Sequence, residues 1–186
     1  MQGKKRAPPK FRAPFAEDSK VKNEALYQVQ ADQVLDVSAN LSITYLYGDQ
    51  EITAWGGPGQ GTVTDLPASQ WQAYLPVANH PEYPSASASF CAAHAQSVRL
   101  FLGTDALNWT IPAAQGSSRI EPGVTPQSDI ALAFPTWTDF EQTCGTSRLW
   151  GGVHFYPSIP AGQDIGHEIG TLAYDYVDAL IKGSKN

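Results

Sequence analysis

The chain contains no run of 18 apolar residues, so no segment is expected to cross a bilayer as a helix. Its basic N-terminus lacks the apolar stretch of a secretory signal, so no signal peptide is expected and the compartment is left open. Cysteine is scarce: Cys91 and Cys144 are the only two. They leave two readings, a pair of buried thiols or a disulfide that would imply an oxidising environment. The glycine run Gly56-Gly57-Pro58-Gly59-Gln60-Gly61 lacks the Lys-Ser/Thr ending of a phosphate-cradling nucleotide loop. Aromatic and basic residues do not interleave repeatedly, which argues against a nucleic-acid partner.

What is present describes a globular chain. Its 186 residues are 42% hydrophobic, with five Trp and eight Tyr, enough for one domain with a substantial core. Fourteen Pro and sixteen Gly predict long irregular connections. The net charge of −6 conceals an asymmetry: residues 1–22 carry seven Lys/Arg against Glu17 and Asp18, a balance of +5 that leaves −11 on the remainder. Residues 1–19, with Pro8, Pro9 and Pro14, are expected to form a basic extended arm. Residues 20–186 are expected to form one domain. An acidic body would repel a phosphate backbone, so the arm is expected to dock on its own body or on other protein subunits.

The pattern predicts a mainly α protein. Residues 20–37 read as a moderately amphipathic helix and 51–81 as a long loop. Residues 85–102 read as a buried helix whose apolar face is Cys91, His94/Ala95, Val98 and Phe101/Leu102, with Gly103 as its cap. On that face His94 is expected to be a packed histidine. Residues 104–128 read as loop, 129–134 as a short strand and 136–143 as a short helix. Residues 163–182 predict a last helix with an apolar stripe of Ile165, Ile169, Leu172, Tyr176 and Leu180. Gly166 and Gly170 would let it approach another helix closely, and His167 and Glu168 are expected on its solvated side.

Two segments carry chemistry. In Ser147-Arg148-Leu149-Trp150-Gly151-Gly152-Val153-His154 an arginine and a histidine stand six residues apart with glycines between them. Such a segment can bring a guanidinium and an imidazole onto one small oxyanion. In His80-Pro81-Glu82-Tyr83-Pro84-Ser85-Ala86-Ser87, Ser85 precedes a helix N-terminus, where anions are favoured. Together these resemble the second and third motifs of the superfamily that joins vanadium-dependent haloperoxidases to type-2 phosphatidic-acid phosphatases. The resemblance spans residues 45–180 and is most specific over 46–62, 80–95 and 134–155. It implies a partial haloperoxidase-like helical bundle with long Gly/Pro-rich loops and a short strand pair. It also implies that Ser85 and Arg148 hold the oxyanion, and that His154 binds vanadium or, in a phosphatase, attacks phosphorus.

The first motif of the superfamily, a Lys followed seven residues later by Arg-Pro, is not matched. Aligned through Tyr45-Leu46-Tyr47-Gly48, the Arg-Pro position holds Ser38-Ala39 and the lysine position Ala31. Motif two places Ser87 where the general-acid/base histidine usually stands. Two lost charge-assisted donors would cost on the order of 3–6 kcal/mol, roughly two to four decades in affinity. The sequence therefore predicts a non-catalytic haloperoxidase-like domain without a cofactor, an accessory or structural subunit whose incomplete bundle other subunits cover. An active haloperoxidase or acid phosphatase is the alternative, with vanadate as cofactor, His154 as ligand or nucleophile, Ser87 as proton carrier and the arm's cations completing the site. A fragment of a longer haloperoxidase chain is the third reading. Motif three also admits a purely structural account, an Arg148–carboxylate pair and a packed His154 holding a loop.

Overall fold

A computed structural model of the chain describes residues 47–77 and 80–183. The expected helix over 20–37, the basic arm and the positions aligned with motif one (Ala31, Ser38, Ala39) lie outside the described residues.

The described chain opens with an antiparallel hairpin, β1 (Glu51–Trp55) paired to β2 (Thr62–Pro67), where a loop was expected. Both strands carry β-branched residues, Ile52 and Thr53 against Thr62, Val63 and Thr64, which suit a pleated surface. The glycine run is the turn between them. Gly57, Gly59 and Gly61 all take positive φ, at 110°, 76° and 66°, a conformation that side chains with a Cβ resist. Gly56 N–H closes the turn on the Gly61 carbonyl at 2.9 Å. A single 3-10 turn, Ala68–Gln70, follows. Tyr47 and Ala68 form a small core there with Ile52, Trp71 and Phe155 packed against them.

Helix α1 (Ala86–Leu102) begins at the cap Ser85 and ends at Gly103, whose φ is 66°. Next comes a second antiparallel pair, β3 (Ala106–Ala113) with β4 (Ile130–Thr136), joined through the 114–129 loop. A strand thus replaces the start of the expected 104–128 loop. Thr136 and Asp139 form a capping box that starts helix α2 (Trp137–Trp150). This helix was expected to stop near Thr143 but continues through Arg148. Helix α3 (Ser158–Ile181) completes the described chain, beginning five residues earlier than its apolar pattern indicated.

The three helices pack through small residues. On α1 the fully buried positions are Ala88, Ala92 and Ala95, whereas Phe90 and Phe101 are exposed. On α3 the buried face is Ser158, Ile159, Gly162, Gln163, Gly166 and Gly170. A Cβ at Gly170 would sit 2.6 Å from the Ala93 carbonyl oxygen of α1, so the two backbones touch almost directly. The expected core faces are therefore corrected on both helices. Ile165, Ile169, Leu172, Tyr176 and Leu180 face outward, the last four more than half exposed. His94 is packed edge-on to Trp137 at 5.3 Å, yet it lies at the surface rather than in the core.

Two covalent or ionic ties hold the helices together. A disulfide joins Cys91 of α1 to Cys144 of α2. The Glu141 carboxylate of α2, 3% exposed, meets Arg99 of α1 at 3.0 Å and His167 of α3 at 2.8 Å. His167 therefore reaches Glu141 between the helices while its side chain stays 41% exposed. Among the described residues no helix is long and apolar enough to cross a membrane.

Candidate functional site

The two sequence motifs meet where the 80–85 segment lies against the turn between α2 and α3. Ser85 is completely buried. Its Oγ accepts from Ala88 N–H at 3.3 Å, which caps α1 and leaves the hydroxyl hydrogen free to donate. Ser85 N–H donates to the Ser158 carbonyl at 2.9 Å, which stitches motif two to the first residue of α3.

His154 is 2% exposed and follows the Gly151-Gly152 turn that ends α2. Its Nδ1 lies 2.5 Å from the main-chain carbonyl of Glu82. A carbonyl can only accept, so in the neutral ring Nδ1 carries the proton and Nε2 keeps its lone pair. The Glu82 side chain reaches the same turn: Oε1 accepts from Phe155 N–H at 2.6 Å and from the Ser158 hydroxyl at 2.5 Å. Glu82 is itself 5% exposed. His80 stacks on His154, with ring centroids 5.6 Å apart and planes 20° from parallel. His80 Nδ1 is 2.8 Å from the Pro81 carbonyl, and its Nε2 has no hydrogen-bond partner among the described residues.

Arg148 stands in the last turn of α2, and its carbonyl accepts from Val153 N–H at 3.1 Å. Its Nε is buried and has no hydrogen-bond partner among the described residues. Burial pushes its guanidinium below the ordinary arginine value. The chain from residue 23 to 181 has three cations, Arg99, Arg119 and Arg148. Arg99 is committed to Glu141 and, at 3.6 Å, to Asp105, and Arg119 is exposed. The arginine–carboxylate pair that holds helices together is thus made by Arg99, and among the described residues Arg148 has no carboxylate partner.

Ser87 lies in the first turn of α1, partly buried, and its hydroxyl makes no hydrogen bond among the described residues. The structure adds two residues to which the sequence pointed only as neighbours within motif two, His80 and Glu82. Their spacing from Ser85 carries no signature. Glu82 meets His154 across 72 positions of sequence.

The His154 imidazole, the Ser85 hydroxyl and the Arg148 guanidinium are the kinds of group that hold a tetrahedral oxyanion. The comparisons with known proteins bear on which one. Residues 40–183 match the family model of the VCPO second helical-bundle domain. The chain belongs to the vanadium-dependent chloroperoxidase family. The crystal structure of a holo-type bacterial vanadium-dependent chloroperoxidase is 48% identical, with a TM-score of 0.73, over 76% of this chain and 30% of that one. The apo-type structure of a bacterial vanadium-dependent chloroperoxidase is likewise 48% identical, with a TM-score of 0.76, over 80% of this chain and 32% of that one. The chain therefore spans about a third of the length of these relatives. A search of curated proteins finds no match. The partial helical bundle and the short strand pairing expected from the sequence are those of this family's second bundle.

Proposed function

We propose that this domain supplies the second-bundle side of a vanadate site of the haloperoxidase type. The observation that carries this reading is the buried Nε of Arg148, a desolvated donor without a partner among the described residues. A purely structural arginine would have its donors satisfied, because an unmet buried donor is costly. In this reading His154 offers Nε2 to vanadium, while Arg148 and Ser85 hold the oxyanion's oxygens. Vanadate bound there would supply a Lewis-acidic centre at which peroxide oxidises a halide, and the relatives' name points to chloride.

Proton handling follows from the residues in place. Ser87 keeps its hydroxyl proton near neutrality and makes a poor general acid or base. His80, stacked on His154, brings a second imidazole beside the first and is the candidate for that role. The cations missing at Ala31 and Ser38-Ala39 limit affinity. The basic arm or an adjoining chain would have to replace them.

A second reading, a non-catalytic accessory domain, has its own support. The outward stripe of α3, with Leu172 68%, Tyr176 56% and Ile181 75% exposed, is an apolar face suited to burial against another bundle. That bundle could belong to the same longer chain or to another subunit.

Calorimetric titration with orthovanadate separates the two. Micromolar binding that disappears in the Arg148→Ala/His154→Ala double variant supports the vanadate site. Absence of binding in both proteins leaves the accessory reading.

A further inference from the structure

We propose that Glu82 is a positioning residue for His154, fixing through a two-part clamp which imidazole nitrogen faces the anion site. The inference rests on the reading of His154 as the anion's ligand, and it deepens that reading. The main-chain part of the clamp is the Glu82 carbonyl, 2.5 Å from His154 Nδ1. That acceptor selects the tautomer with its lone pair on Nε2, the only neutral form able to ligate through that nitrogen.

A single carbonyl contact from a loop would hold the ring loosely, and the side chain supplies the second part. Glu82 Oε1 accepts from Phe155 N–H and from the Ser158 hydroxyl. These two donors belong to the residue that follows His154 and to the first residue of α3. The carboxylate therefore grips the chain just beyond the histidine while the carbonyl of the same residue grips its ring. Oε1 also lies 3.6 Å from Nδ1. Three residues further along, Ser85 N–H is bound to the Ser158 carbonyl, so the clamp also fixes the separation of Ser85 from His154. Removing the side chain would free the turn, let the Glu82 carbonyl drift from Nδ1 and scramble the tautomer.

Two measurements test this, one without any ligand. Nitrogen-15 NMR of the His154 ring in the vanadate-free protein should show the Nδ1–H tautomer in wild type and in Glu82→Gln, whose amide oxygen can still accept both hydrogen bonds. In Glu82→Ala the two tautomers should mix. Orthovanadate titration should give an affinity about 10- to 100-fold weaker for Glu82→Ala, the usual cost of losing a residue that orients a ligand, and one close to wild type for Glu82→Gln. An unchanged tautomer in folded Glu82→Ala, or equal loss in Glu82→Gln, overturns the proposal. Should Glu82→Ala fail to fold, Ser158→Ala removes one of the two Oε1 bonds and must shift the tautomer in the same direction. If wild type binds no vanadate, the site reading fails, while the NMR result still decides the role of Glu82.

Discussion

Gly162 of α3 passes so close to Ser85 that it has no room for a side chain. A Cβ built there would overlap the Ser85 carbonyl oxygen and lie 3.2 Å from the Cβ of Ala88. The helix that follows motif three is thereby seated directly on the serine of motif two. Gly162→Ala would gain about 1 kcal/mol of helix propensity. It would also force apart two backbones, an overpacking cost of about 1–3 kcal/mol, and backbone cannot move aside as a flexible side chain can. The clash should win, lowering the denaturant midpoint and weakening any anion binding through Ser85. An unchanged or raised midpoint would mean that the spacing of α1 and α3 is not fixed at this point.

The Cys91–Cys144 bond closes a loop spanning 53 positions of sequence and contains both β3 and β4. Chain-entropy arguments give a cross-link over that separation about 4 kcal/mol of stabilisation. The Cys91→Ser/Cys144→Ser variant should therefore unfold at a clearly lower denaturant concentration than the oxidised protein. Reductant should bring wild type down to the same midpoint. A midpoint insensitive to reductant would place the two cysteines as thiols in solution.

Glu141 is the buried hub of the bundle, reached by Arg99 from α1 and His167 from α3. Removing one member of a buried ionic group leaves the others desolvated without compensation, at about 3–5 kcal/mol. Arg99 keeps Asp105 as a weaker partner, so Glu141→Leu should fall at the low end, about 3 kcal/mol. A double-variant cycle with His167→Ala should show non-additivity, because both changes act on one network. Additive losses would mean that the His167 contact contributes nothing to stability.

The helices were legible where local chemistry marks their ends. Ser85 and Gly103 bound α1, and the Thr136–Asp139 capping box starts α2. Their buried faces were legible only in part, through Gly166 and Gly170 as points of close approach. A search for large apolar residues finds Ile165, Ile169 and Leu172, but the α1–α3 contact is made by Gly162, Gly166 and Gly170 against alanines. Close approach is favoured by small side chains, which a hydrophobic periodicity weights lightly. The hairpin was missed because the Trp55–Gly61 run reads as loop, although β-branched residues on both sides indicate strands. At the site, Ser85, Arg148 and His154 were readable as motif residues. Glu82 was not, since a carbonyl that orients a ring 72 positions away leaves no mark on sequence.

Arg148 gives the sharpest opposition between stability and binding. Its guanidinium is desolvated with Nε unmatched among the described residues, so folding without an anion works against the charged form, as its lowered pKa reflects. The unfolded chain holds that proton more tightly than the folded one. Stability from this group would therefore rise only as pH climbs through its folded pKa. An arginine keeps its charge across about pH 5 to 9, so the penalty is constant there. Arg148→Met keeps most of the stem's packing and removes the charge. The anion-free variant should accordingly be more stable than wild type, by about 0.5–1 kcal/mol given the partial exposure of the side chain, with no pH dependence of the difference in that range. Orthovanadate should raise the melting temperature of wild type but not of Arg148→Met, reversing their order once the anion saturates the site. A variant less stable than wild type in the absence of anion would show that Arg148 serves the fold rather than a ligand.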